Sequence, residues 1–118
     1  MRQSLPFIFR YRDLVEGPTF KASVDSTGRV LATCEPEGWW LYGVIPGAIA
    51  ASGATFPEAH GKFREAYRLI LDGLADDAGT FGVFRQEADR WFKETDPETL
   101  SEWLTAVEVV RAFGPEKL

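Results

Sequence analysis

The sequence predicts an α+β fold: an antiparallel sheet of four or five strands, one long helix packed across it, and a helical C-terminal extension. Three observations lead there. Residues 7–52 are short aromatic and β-branched runs separated by Gly- and Pro-containing breaks, the pattern of strands joined by tight turns. Residues 55–75 open with capping residues and then repeat apolar side chains at helical spacing. Beyond Gly79 the period stays helical, with a further start signal at Asp96-Pro97.

Phe7-Ile8-Phe9-Arg10-Tyr11-Arg12 reads as the first strand, broken at Glu16-Gly17-Pro18. Thr19 to Val24 reads as a second. Asp25-Ser26-Thr27-Gly28 reads as a hairpin turn, with glycine supplying a positive φ, into a strand from Arg29 to Glu35. Pro36-Glu37-Gly38 turns the chain into Trp39 to Ile45, the strongest strand signal, and Ala48 to Ser52 follows the Pro46-Gly47 break. This half is an antiparallel meander.

The long helix is expected from about residue 56 to residue 75. Thr55 and Glu58 have the spacing of a capping box, and Pro57 sits in the first turn, where a missing donor is harmless. Phe56, Ala59, Phe63, Ala66, Tyr67, Ile70, Leu71 and Leu74 form its buried face, with Lys62, Arg64, Glu65, Arg68 and Asp72 on the other side. Phe84, Ala88, Trp91 and Phe92 mark a second, shorter helix, and Asp96-Pro97-Glu98 opens a third through Leu100, Trp103, Leu104 and Val107. Residues 105–113 are β-branched enough to form a returning strand, and a helical continuation fits as well.

A chain of 118 residues, 45% hydrophobic and 14% aromatic, suits one compact domain with a real core. No apolar run approaches the roughly 20 residues of a membrane span, and the start lacks the apolar stretch of a secretory signal. The expectation is a soluble, cytoplasmic protein with no membrane partner. Cys34 is the sole cysteine, which excludes an internal disulfide and a thiolate metal cluster within one chain. The net charge of −5 opposes a broad nucleic-acid footprint and favours basic partners.

From Arg29 to Ala75 the order of signals is a strand and turn at Gly38, a strand ending at Pro46-Gly47, a short strand ending at Gly53, then Thr55 capping a helix that begins Glu58-Ala59. In this order the chain resembles the HicB-like family, small proteins with a partial RNase H fold that mostly serve as antitoxins. The resemblance implies a single HicB-like domain, with residues 1–28 as an extra N-terminal segment and residues 80–118 as an extension with room for a closing strand. It further implies a small basic toxin as partner and self-association. Gly53, Thr55, Glu58 and Ala59 are structural in this motif: turn, cap and close packing. The DNA-binding tail carried by many such antitoxins has no counterpart. From Lys93 onward three basic residues (Lys93, Arg111, Lys117) face six acidic ones (Glu94, Asp96, Glu98, Glu102, Glu108, Glu116), a balance that repels phosphate. DNA contact would need dimerisation to gather Arg2, Arg10, Arg12 and Arg29 into one basic surface.

The residues give little support to catalysis. Asp13, Asp25, Glu35 and Glu58 are the carboxylates from which a two-metal nuclease site would have to be assembled. Asp25 and Glu35 read as turn or strand-end residues and Glu58 as a cap, so neither a metal site nor a cofactor is expected. His60, the only histidine, reads as a helix-surface or interface residue. No nucleophile, phosphate-loop or zinc motif is present. The candidate partner-binding residues are Trp39, Trp40 and Tyr42: successive strand residues point to opposite faces, so the two indoles cannot share one. Arg64 and Arg68, one turn apart, read as a solvated helix face. The functional expectation is a non-catalytic HicB-like antitoxin that neutralises a small RNA-cleaving toxin by occluding its active surface. The alternatives are a solitary HicB-like interaction or regulatory module without a toxin and, behind it, a metal-dependent nuclease.

Overall fold

The structure, a computed structural model, describes residues 3–112. Four strands, β1 (Gln3–Glu16), β2 (Lys21–Glu35), β3 (Gly38–Ile45) and β4 (Ala50–Gly53), form one antiparallel sheet in the order β1-β2-β3-β4. Helices α1 (Phe56–Asp77), α2 (Phe81–Phe92) and α3 (Pro97–Ala112) complete an α+β fold.

β1 and β2 form a long hairpin whose register runs unbroken from Gln3 opposite Cys34 to Glu16 opposite Lys21. Its tip is closed by the Gly17 N–H donating to the Phe20 carbonyl at 2.9 Å. The turn expected at Asp25-Ser26-Thr27-Gly28 is therefore wrong: these residues lie in mid-strand opposite Phe9 to Arg12, and two expected strands are one. Gly28 serves a close approach, because a Cβ there would lie 2.3 Å from the Phe9 ring and 2.3 Å from the Ile45 carbonyl oxygen. Just beyond it, β2 shifts register against β3 between Arg29 and Val30.

Strand alternation gives the sheet two apolar faces. Phe9, Tyr11 and Val15 of β1, Val30 and Ala32 of β2 and Leu41 of β3 pack under Phe63, Tyr67 and Leu71 of α1 and Phe84 and Trp91 of α2. On the reverse face Leu31 and Val44 meet Trp103 and Ala106 of α3. The sheet is thus a middle layer. The chain passes from one side to the other between α2 and α3, held by Gly47 N–H to Glu94 O (2.9 Å) and Asp96 N–H to Val44 O (3.1 Å). Asp96 caps α3 as expected, its Oδ1 accepting from the N–H of Glu98 and Thr99 at 3.1 and 3.3 Å.

Within residues 105–112 the helical alternative holds; Phe113 lies outside the described residues. Among the described residues no closing strand follows α1, because α2 and α3 take up that part of the chain. No described helix is long and apolar enough to cross a membrane.

Candidate functional site

The densest polar chemistry lies where α1 passes over β1. Spacing by four residues places His60, Arg64, Arg68 and Asp72 along one flank of α1, and strand alternation turns Tyr11 and Asp13 toward it. The Asp13 side chain is 1% exposed. Its Oδ1 accepts from Arg64 Nη2 and from Arg68 Nη1, the latter at 3.1 Å. Arg68 also pairs with Asp72 at 3.0 Å and donates through Nη2 to the Leu14 carbonyl at 2.6 Å. Arg64 lies over the Tyr11 ring, 4.0 Å from its centre. Its Nη1 and the Asp13 Oδ2 are buried without a hydrogen-bond partner among the described residues.

Two tyrosines close this network from below. Tyr67 donates to Ser26 Oγ at 2.7 Å, and the Tyr11 hydroxyl lies 3.3 Å from His60 Nε2. Burial pushes Tyr11 up to about 12, against the lowering effect of Arg64 beside it. Burial also raises Tyr67, partly offset by the bond to Ser26. A phenol held in its neutral form is a poor base near neutral pH, and both arginines are engaged with Asp13. The arrangement therefore acts as a pin between β1 and α1. The solvated-face reading of Arg64 and Arg68 is corrected accordingly: burying Asp13 requires opposite charge, and these two side chains supply it. The signal lay in the sequence, since Asp13 sits on the inward alternation of Phe9, Tyr11 and Val15.

The aromatic candidates separate onto two faces. Trp39 is half-buried against the main core, edge-on to Phe56 with ring centres 5.4 Å apart. Trp40 and Tyr42 lie on the reverse face, stacked with centres 6.0 Å apart and planes within 9°. Both are half-buried, and among the described residues neither belongs to a hydrophobic cluster. Trp39 is therefore packed on the core side, while Trp40 and Tyr42 form a stacked aromatic pair on the reverse face of β3.

The motif residues all serve the entry to α1. Thr55 accepts from the Glu58 N–H at 3.2 Å, while the Glu58 carboxylate pairs with Lys62 at 3.4 Å, so only the N-cap half of the expected box forms. Gly53 is needed for closeness, since a Cβ there would lie 2.6 Å from the Ala59 nitrogen. Ala59 is fully buried.

The four carboxylates considered for a metal are not brought together. Asp13 is held by arginines, and Asp25 pairs with Arg12 at 2.9 Å on the opposite sheet face. Glu58 stands at the start of α1, and Glu35 at the end of β2. Among the described residues no group of three or more His, Cys, Asp or Glu is placed to hold a metal ion. Arg12 is committed to Asp25, and Arg29 lies 4.8 Å over the Trp103 ring; Arg2 lies outside the described residues. No family model, curated protein or solved structure matches the chain.

Proposed function

We propose that this protein is a non-catalytic interaction module, a HicB-like antitoxin that binds a small basic RNA-cleaving toxin and covers its active surface. The observation that carries this reading is the Trp40–Tyr42 stack, an aromatic pair that lies outside the two hydrophobic clusters of the described residues. Trp and Tyr side chains that reach the surface are frequent anchors of protein interfaces. The net charge of −5 favours encounter with a basic partner, and the resemblance over Arg29 to Ala75 supplies the kind of partner.

A second reading, a solitary HicB-like module without a toxin, is favoured by α2 and α3, which stand where the resemblance would place a closing strand. Co-purification of the tagged chain from its native cell separates the two. A small basic companion that cleaves RNA, is inhibited by this chain and is released by Trp40→Ala with Tyr42→Ala supports the antitoxin. A chain that emerges without such a companion overturns it in favour of the solitary module.

A further inference from the structure

We infer that two copies of this chain associate through β1, edge to edge, into one continuous antiparallel sheet with the two-fold axis at Arg10. The inference goes beyond the toxin reading and does not rest on it.

Among the described residues β1 is an edge strand, with only β2 beside it. Which of its backbone groups face outward follows from the hairpin tip. Gly17 and Phe20 are a hydrogen-bonded pair, and along an antiparallel ladder such pairs recur at every second residue. The odd-numbered residues of β1 therefore bond to β2, and the N–H and C=O groups of the even-numbered residues from Ser4 to Glu16 point away from the sheet. The alternation stays consistent across the sheet: carried through β2 to β3 it turns Gly43 toward the β4 side, where its N–H bonds to Ile49 O at 2.7 Å.

Two groups of this outward row are already closed. Pro6 has no N–H, and the Leu14 carbonyl is taken by Arg68 Nη2 at 2.6 Å. Between them Ile8, Arg10 and Arg12 each turn a donor and an acceptor away from the sheet, with no backbone partner among the described residues. The closed groups lie equally far on either side of Arg10, and that symmetry selects a register. With Arg10 opposite Arg10 of the second copy, Ile8 falls opposite Arg12 of that copy, and every outward N–H and C=O of these three residues finds a partner. Pro6 then meets Leu14 of the second copy: the missing donor faces the one carbonyl that is already satisfied, while the Leu14 N–H bonds to the Pro6 carbonyl. Ser4 falls opposite Glu16, so the strands overlap along nearly their whole length. A shift of two residues either way leaves Pro6 opposite a carbonyl that Arg68 does not serve.

The side chains fit this pairing. Ile8 and Leu14, 66% and 73% exposed, are covered by the aliphatic stem of Arg12 and by Pro6 of the other copy. A long open edge is a template for further strands; here its closed groups confine it to one register. The unfavourable element is Arg10 against itself, like charges directly opposite on one face.

The test is oligomeric state by analytical ultracentrifugation, combined with amide hydrogen exchange resolved by residue. The expected result is a dimer in which the amides of Ile8, Arg10 and Arg12 are slow and become fast on dilution, while those of Phe9 and Tyr11 stay slow throughout. Arg10→Pro removes a donor that points away from β2 and is expected to give a folded monomer. Should that variant not fold, Ile8→Lys sets a second cation against Arg12 and is expected to weaken the dimer several-fold, whereas Arg10→Thr strengthens it. A wild-type monomer at the highest soluble concentration overturns the inference, as does a dimer whose Ile8, Arg10 and Arg12 amides remain fast.

Discussion

At Asp13 the cost of burying a carboxylate is offset by Arg64 and Arg68, which reach it from successive turns of α1. Asp13→Ala leaves the Arg64 guanidinium against the core without its counter-charge, while Arg68 keeps Asp72, and is expected to destabilise the fold by about 3 kcal/mol, the low end for a broken buried pair because both arginines keep part of their water. Asp25→Ala breaks only an exposed pair with Arg12 and is expected to cost under about 1 kcal/mol. Denaturant unfolding of both variants checks the contrast, and equal losses would refute the pin. Tyr11 adds a pH dependence. Its folded value near 12 lies above the ordinary 10.0, so the folded state binds this proton more tightly than the unfolded chain. The contribution is intact below pH 10 and is lost as the pH rises from 10 to 12. Tyr11→Phe is expected to flatten that decline in a pH series of melting curves, beside the share left to Tyr67.

The elements divide by how local their signals are. α1 was legible because cap, first-turn proline and apolar period all lie within its own segment, and it runs only slightly past the expected end. The hairpin was misplaced because Asp25-Ser26-Thr27-Gly28 and Gly17-Pro18-Thr19 are both turn-like in composition. What decides between them is the Phe9 ring lying against Gly28, a contact between strands that no local pattern reveals. Gly28→Ala is expected to cost roughly 1–3 kcal/mol by forcing the Phe9 ring or the β2–β3 pairing aside. Thermal melts of Gly28→Ala and of the exposed helical control Gly61→Ala measure the difference. For the candidate site, alternation alone was enough to divide Trp39 from Trp40. Which face α3 covers was not legible, since it depends on the crossing at Glu94 and Asp96, held by backbone bonds to Gly47 and Val44.

Over the whole molecule, the sheet is shared between two helical layers, and the long hairpin stretches the globule to 52 × 26 × 26 Å. Sharing one sheet implies that neither face unfolds by itself. Trp103 is 8% exposed and packs with Leu31 and Val44, so Trp103→Ala is expected to cost about 3–5 kcal/mol and to lower a single cooperative transition. Near- and far-UV circular dichroism followed through the same denaturation should coincide; a separate early step confined to α3 would contradict this. The Trp103 indole also donates to the Phe7 carbonyl at 3.3 Å across 96 positions of sequence. While the chain is being made, the reverse face of the sheet therefore stays wet until α3 has left the ribosome. Until then the Leu31–Val44 surface is open to chaperones or to neighbouring nascent chains.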